Sequence, residues 1–170
     1  MCKKINISVL GTGHLGTIHS KLWKNCPKAN LVGIYDVDSV KAEKLANELG
    51  CKSYSSIDEA LNNSDAVTIS TPTSLHYEHS IKCIEKGVHC FIEKPITDNY
   101  ENAKEIIKLA NEKNILVQVG HVERFNPGLS QLSKYEMNPM FIEAHRLSQF
   151  KPRAIDVSVI LDLMIHDIDI

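Results

Sequence analysis

The sequence predicts an α/β fold in which a doubly wound, mostly parallel sheet is covered by helices on both faces. One observation is a set of short and almost continuous apolar runs, which are typical of parallel strands buried on both sides. These runs span residues 5–10, 31–35, 66–70, 88–92 and 115–119. A second observation is that segments with helical apolar spacing separate the runs, so that strands and helices alternate along the chain.

Four helices are predicted from apolar residues that recur every three or four positions. Gly50 and Gly87 stand where the second and third of these helices should end. Asp98, with Glu101 three residues later, predicts a capping box at the start of the fourth. The apolar stripes are Leu15, Ile18 and Leu22; Ala42, Leu45, Ala46 and Leu49; Tyr77, Ile81 and Ile84; and Ala103, Ile106, Ile107 and Ala110.

The regular alternation ends near residue 120, where we place a domain boundary. Residues 1–120 form the doubly wound domain, and residues 121–170 begin a second, α+β domain that is too short to bury a stable core alone. Within this second part, residues 140–150 alternate like a half-buried strand. Residues 157–170 carry an apolar stripe at helical spacing, which predicts a final helix.

The composition is that of an ordinary globular protein, with 43% hydrophobic and 24% charged residues. The net charge is −2 and no basic stripe is present, which argues against nucleic acid or anionic membranes as partners. The five cysteines are scattered and form no CxxC pair, which favours a reduced, cytoplasmic location. We find no apolar stretch of membrane-spanning length and no secretory signal.

The segment GTGHLG at residues 11–16 has the spacing of a dinucleotide-binding loop, with a predicted strand before it and a helix after it. The first glycine allows a tight turn, the second lets the backbone approach a pyrophosphate, and the third lets helix and strand pack closely. The phosphates then meet the N-terminus of the helix. The alternative is a glycine turn used only for packing. The expected cofactor contacts are Gly11, Thr12, Gly13, His14, Leu15 and Gly16.

Asp36 ends the second predicted strand, twenty residues after Gly16. A carboxylate at this place can accept hydrogen bonds from both ribose hydroxyls of the adenosine half and would repel a 2′-phosphate. The sequence therefore favours NAD over NADP as the cofactor. The alternative is that Asp36 only caps the helix that follows it.

Two later strands deliver polar residues to the carboxyl edge of the sheet, where ligands of doubly wound folds bind. The first supplies Thr71, Pro72 and His76, and the next supplies Glu93 and Lys94, all expected near the cofactor. Pro95 restricts the backbone of Lys94, so the lysine side chain is aimed rather than free. Lys94 is the candidate for proton exchange with a substrate hydroxyl. The alternative is a surface lysine at a routine proline turn.

Asp162, His166 and Asp169 are spaced to lie on one face of the last predicted helix. Asp162 can hold the His166 imidazole in one tautomer, and a histidine titrates near neutrality, as a general base requires. A metal site would need a further ligand that we cannot place, so we expect no metal. The remaining alternative is a solvated helix face.

In their sequence and order along the chain, these motifs are similar to those of the Gfo/Idh/MocA family of NAD(P)-dependent oxidoreductases, whose members have a Rossmann fold. The resemblance implies that Lys94, Asp162 and His166 act on the substrate hydroxyl while hydride passes to the nicotinamide. It implies as substrate a secondary alcohol of a sugar, sugar nucleotide or cyclitol. The proline of EKP is often cis in the family, and for Pro95 both the cis and the trans bond stay open. The motifs are GTGHLG, Asp36, TPTSLH at 71–76, EKP at 93–95, GHVERFNP at 120–127 and DLMIHDID at 162–169.

Within the family the chain is most similar to the sugar-nucleotide branch of UDP-N-acetylglucosamine 3-dehydrogenase-like proteins. Arg124 and Arg146 are then candidates for binding a diphosphate, with plain ion pairs as the alternative. Family members are roughly twice as long, because a second domain completes the substrate pocket and commonly forms a homo-oligomer interface. We therefore expect a truncated enzyme. The alternatives are a catalytically silent NAD-binding module, or an inactive remnant that associates through the apolar residues 141–150.

Overall fold

The computed structural model describes residues 3–132, 134–136, 138–147 and 157–170. Its centre is a six-stranded parallel sheet with the order β3-β2-β1-β4-β5-β6. The chain runs outward from the centre in both directions, which is the Rossmann strand order, so the predicted fold class is confirmed. The strands are β1 Ile5–Leu10, β2 Ala29–Tyr35, β3 Lys52–Ser53, β4 Ala66–Ile69, β5 His89–Ile92 and β6 Val117–Val119.

The helices cover both faces of the sheet because right-handed crossovers leave β1 and β4 in opposite directions. On one face α1 contacts α2, and on the other α4 contacts α5. No helix among the described residues is both long and apolar enough to cross a membrane. The helices are α1 His14–Asn25, α2 Ser39–Leu49, α3 Ile57–Asn62, α4 His76–Glu85, α5 Tyr100–Lys113, α6 Pro127–Leu132 and α7 Ile165–Asp169.

The hydrophobic core lies between the central strands and the helices. Each predicted strand has at least one residue in this core or packed against it. Burial of a large aliphatic side chain stabilises the fold by about 1.5–3 kcal/mol, so the fully buried residues of β1, β4 and β5 contribute most. A fixed core here holds the carboxyl ends of these three strands in register. Large and fully buried side chains of this core are Leu10, Ile69 and Ile92 on the strands and Ile84 and Ile106 on α4 and α5.

The apolar stripe of α1 is not the face that the helix buries. Leu15, Ile18 and Leu22 are exposed, Leu22 to 62%, whereas Gly16 and Ser20 are buried. A Cβ on Gly16 would lie 1.9 Å from the Gly11 carbonyl oxygen, so the helix packs closely through its small residues. The predicted helix is confirmed, but the face that packs against the sheet carries its small residues and not its large apolar ones.

The predicted helix ends agree with the structure at two of three places. Gly50 ends α2 with a left-handed φ of 63°, and Gly87 follows α4 with a φ of 77°, as glycine allows. The prediction that Asp98 caps α5 is wrong by one residue. Asn99 is the cap, because its side chain accepts a hydrogen bond from the backbone N–H of Asn102 at 2.9 Å, while Asp98 accepts from the Asn99 amide.

The chain after β6 only partly follows the prediction. Residues 140–147 form no strand, so that prediction is wrong for the described part; residues 148–150 lie outside it. A strand needs a neighbour for its backbone hydrogen bonds, and no described element pairs with this segment. The final helix exists as a π-helical turn, Ile160–Met164, that continues into α7. The domain boundary at residue 120 stays a prediction.

Candidate functional site at the carboxyl edge of the sheet

The glycine loop is built around two close backbone contacts. Gly11 has a φ of +94°, and a Cβ there would lie 2.8 Å from the carbonyl oxygen of Ser70, which follows β4. Gly16 brings α1 against the same loop. A Cβ on Gly13, in contrast, would meet nothing within 4 Å. Gly13 also precedes α1 without any side-chain cap, so open space and uncapped helix N–H groups coincide, as a pyrophosphate requires.

Asp36 is tied to the glycine loop rather than to the helix that follows it. Its Oδ2 accepts hydrogen bonds from the Thr12 backbone N–H at 2.6 Å and from the Thr12 hydroxyl at 2.7 Å. Its Oδ1 accepts from the backbone N–H of Asp38 at 2.9 Å. Asp38 is the residue that caps α2, through the Lys41 N–H, so the capping alternative for Asp36 is wrong.

A cleft of about 410 Å³ lies between the glycine loop and the ends of β4 and β5. This volume is within the range of small-molecule sites. Val157 also lines the cleft, beside Asp162 from the last helical segment. The predicted site residues that the cleft brings together are His14, Leu15, Thr71, Pro72, His76, Glu93, Lys94 and Asp162.

A second groove of about 400 Å³ lies beside the cleft, between α1 and the ends of β5 and β6. It contains His166 and shares Leu15, Glu93 and Lys94 with the first cleft. The exposed apolar stripe of α1 lines this groove together with Phe91. Lys94 therefore stands on the wall between two spaces, with Asp162 in one and His166 in the other.

Lys94 and Asp162 form an ion pair at this wall. The Lys94 Nζ donates to Asp162 Oδ1 at 2.8 Å and to the Asp162 carbonyl oxygen at 2.5 Å. Their side chains are only 14% and 17% exposed, so water screens the pair weakly. The bond between Lys94 and Pro95, whose isomer the sequence left open, is cis.

The expected hydrogen bond between Asp162 and His166 is not formed. Asp162 lies in the π-helical turn, where the Ile165 N–H donates to the Ile160 carbonyl oxygen, five residues back. A π turn rotates side chains away from the α-helical register, so a spacing of four residues no longer marks one face. Asp162 therefore meets Lys94, and the His166 Nδ1 has no hydrogen-bond partner among the described residues.

The electrostatic surroundings of His166 favour its neutral form. Burial lowers the pKa of His166 below its ordinary value of 6.5, and the nearby charges of Lys94 and Arg146 lower it further. Glu123 and Asp167 act in the opposite direction. A neutral imidazole with an unpartnered nitrogen can accept a proton.

Ion pairs hold α7 in place. Arg124 donates to both Asp169 oxygens, at 2.8 Å from Nε and 2.6 Å from Nη2, and Arg146 binds Asp167 at 2.7 Å. The His121 Nδ1 also lies 3.3 Å from Asp169, without hydrogen-bond geometry. Both arginines thus form the ion pairs given as the alternative, and a role for them in binding a diphosphate stays a prediction.

Like Thr12 and Lys94, the predicted cofactor residues His76 and Glu93 have polar atoms engaged by the protein. His76 is buried, and its ring nitrogens face the carbonyl oxygens of Pro95 and Thr71. Glu93 Oε1 lies 2.6 Å from the Nε2 of His19, a residue of α1 that the sequence analysis missed. His19 could have been predicted as a site residue from its position, because it lies three residues after Gly16 and therefore next to it on the surface of the same helix. Which of these residues touch a cofactor stays a prediction.

The fold and the site define a nucleotide-binding domain of the Rossmann type. Residues 5–121 match the GFO_IDH_MocA family, described as an oxidoreductase family with an NAD-binding Rossmann fold, and the chain belongs to this family. It is 40% identical over 163 residues to a UDP-N-acetylglucosamine 3-dehydrogenase from Acidithiobacillus ferrooxidans, covering 95% of this chain and 51% of that protein. The solved structure of that enzyme superimposes with a TM-score of 0.91 and 38% identity, covering 99% of this chain and 55% of that one.

A second relative is scyllo-inositol 2-dehydrogenase (NAD(+)) from Bacillus subtilis, 34% identical over 180 residues. The match covers 98% of this chain and 53% of the relative. The chain thus spans about half the length of these curated relatives. The predicted family is confirmed, and so is the Rossmann domain as an NAD-binding unit.

Proposed function

We propose that this chain is the NAD-binding part of a dehydrogenase acting on a secondary alcohol of a sugar, sugar nucleotide or cyclitol. The observation that carries the proposal is one cleft that joins the glycine loop to Lys94 at the carboxyl edge of the sheet. Bound NAD supplies the hydride acceptor for the oxidation of the alcohol to a ketone. The two relatives, one acting on a sugar nucleotide and one on an inositol, support this substrate class.

The glycine loop and Asp36 account for the binding and choice of cofactor. The open space at Gly13 and the uncapped start of α1 fit a pyrophosphate. Asp36 presents a carboxylate whose orientation Thr12 and Asp38 fix from two sides. This carboxylate accepts from ribose hydroxyls and repels a 2′-phosphate, so NAD is favoured over NADP.

Lys94 and His166 have different roles at the substrate hydroxyl, one as hydrogen-bond donor and the other as proton acceptor. When the alcohol carbon loses hydride, the hydroxyl oxygen must also release its proton. His166 lines the groove beside Lys94, and its lowered pKa favours a neutral imidazole that is suited to accept that proton. Lys94 donates a hydrogen bond to the same oxygen and orients it, while Asp162 holds the lysine in place. In the reverse direction His166 returns the proton to the ketone oxygen.

Titration with NADH, followed by the fluorescence of the nicotinamide, tests the cofactor step on this chain directly. Lys94→Ala should leave the NADH affinity within about threefold, because the lysine serves the reacting oxygen and not the pyrophosphate. In the full-length protein the same substitution should lower alcohol oxidation by roughly 100-fold or more. Lys104→Ala, which removes an exposed lysine of α5, is the matched control.

The outcomes separate the competing functions. A folded chain that binds no NADH overturns the proposal, and unchanged turnover in Lys94→Ala removes this residue from the reaction. The silent-module alternative predicts NADH binding but no turnover of UDP-N-acetylglucosamine or scyllo-inositol by the full-length protein. A cytoplasmic location and a homo-oligomer formed through a second domain stay predictions.

A further inference from the structure

His76 has an unusual pair of partners for a buried histidine. It is 1% exposed at the first position of α4. Its Nδ1 lies 2.8 Å from the Pro95 carbonyl oxygen, and its Nε2 lies 2.9 Å from the Thr71 carbonyl oxygen. Backbone carbonyl oxygens only accept hydrogen bonds, so each contact is a bond only where the ring nitrogen carries a proton.

The two carbonyl groups belong to different loops of the site. Thr71 follows β4 and Pro95 follows β5, and these strands are neighbours in the sheet. The imidazole therefore links the two loops below the cleft and holds the backbone immediately after Lys94. The Lys94 amine in turn reaches Asp162 at 2.8 Å. A shift of the Pro95 carbonyl would move the base of the lysine side chain.

His79 provides a comparison on the same helix. It is also buried, but its Nδ1 lies 3.3 Å from the side-chain hydroxyl of Thr71, and no hydrogen bond joins it to the described residues of the loop after β5. Of these two histidines, His76 is the one that lies against a carbonyl oxygen of each loop. Because both of its ring nitrogens are engaged with the backbone, its polar atoms are not available to a cofactor.

We propose that His76 is a positioning residue whose imidazole bridges the carbonyl oxygens of Thr71 and Pro95 and so fixes the backbone that aims Lys94. The inference rests on the proposed function only for the part that Lys94 takes in the reaction. The bridge from His76 to Thr71 and Pro95 is a property of the folded chain, and testing it needs neither cofactor nor substrate. A failure of NADH binding would therefore leave it untouched.

The first test is the hydrogen bonding of the wild-type imidazole. A ring N–H that donates to a buried carbonyl oxygen is shielded from water and gives a resolved signal in ¹H–¹⁵N spectra of the folded chain. We expect such a signal for His76, with His76→Gln used to assign it. The absence of a resolved His76 ring N–H would overturn the bridging arrangement.

The second test measures where the Lys94 amine lies. A carbodiimide joins an amine and a carboxylate that are in direct contact, and mass spectrometry quantifies the resulting amide between Lys94 and Asp162. In His76→Gln we expect this cross-link to be largely lost, because a flexible glutamine side chain does not hold polar atoms beside both carbonyl oxygens as the rigid imidazole does. In His79→Gln it should remain.

An internal control separates displacement of Lys94 from general unfolding. Lys21 and Glu48 form an ion pair at 3.0 Å between α1 and α2, so their cross-link reports the intact fold in the same sample. Loss of the Lys94 cross-link with retention of the Lys21 cross-link supports the proposal. Retention of both in His76→Gln contradicts it. If His76→Gln loses both, the wild-type spectrum decides.

Discussion

Lys94 and Asp162 form a contact that ties the π-helical turn to the carboxyl edge of the sheet. The distance from Nζ to Oδ1 is 2.8 Å, and the same amine donates to the Asp162 carbonyl oxygen. None of the residues of the π turn or of α7 is buried, so apolar packing holds this segment weakly. Charged contacts therefore decide whether His166 stays beside Lys94.

Asp162→Asn should loosen this segment without unfolding the sheet. The substitution removes the carboxylate from a shielded ion pair, and a hydrogen bond between charged groups is worth about 1.5–3 kcal/mol. We expect amide hydrogen exchange in residues 159–169 to become roughly tenfold faster, while exchange in β1 and β4 stays unchanged. Glu78→Gln removes an exposed pair with Lys82 and should change neither region. Equal exchange rates in Asp162→Asn and wild type would show that the ion pair is not the tether.

The strands and long helices could be predicted because their patterns are local. β1 agrees residue for residue with the run at 5–10, and Gly50 and Gly87 end their helices as glycine does elsewhere. The short elements β3 and α3 were missed, since two and six residues carry too little periodicity to recognise.

The face that a helix buries depended on tertiary packing. The large apolar residues of α1 predicted one face, but the close approach of Gly16 to Gly11 selects the other. Likewise, the four-residue spacing predicted a hydrogen bond between Asp162 and His166. The π turn changes the direction of the Asp162 side chain, which pairs with Lys94 instead. The main strands and long helices were predicted at their places in the chain, whereas these pairings depend on how the chain packs in three dimensions.

Asp36→Ala should weaken NAD binding and relax the choice between NAD and NADP. It removes the acceptor for the ribose hydroxyls, a loss of about 1.5–3 kcal/mol, or roughly 10–100-fold in affinity. It also removes the charge that repels a 2′-phosphate, so the affinities for NAD and NADP should approach each other. Calorimetric titration with both dinucleotides measures this ratio.

Asp38→Ala is the matched control for this prediction. It removes the cap of α2, at a cost of about 1 kcal/mol in the free energy of unfolding, but keeps the backbone N–H that binds Asp36. Its dinucleotide affinities should equal those of the wild type. If Asp36→Ala also retained wild-type discrimination, the interpretation of this carboxylate would fail.

Gly16→Ala and Gly13→Ala should separate stability from cofactor binding. The new methyl group at residue 16 would overlap the Gly11 carbonyl oxygen, so we expect a loss of about 3 kcal/mol in the free energy of unfolding. At residue 13 the methyl group meets no protein atom within 4 Å, and stability should change by less than about 1 kcal/mol. NADH binding by Gly13→Ala should nevertheless fall about tenfold, because the methyl group occupies the approach to the pyrophosphate. Urea unfolding and NADH titration measure the two effects, and equal stability losses would contradict the packing argument.

The stability of the domain should fall on acidification, with His79 as one of the groups responsible. Burial lowers the pKa of His79 below 6.5, an effect that Glu78 opposes and that Lys82 and His76 reinforce. Below pH 6.5 the unfolded chain binds a proton at this position more readily than the folded protein, so the free energy of unfolding falls as the pH falls. Above that pH the contribution is fully present. In His79→Gln the decline in urea midpoint between about pH 7.5 and pH 5 should be shallower than in the wild type. An equally steep decline would assign the acid sensitivity to other groups, such as His166, whose pKa burial also lowers.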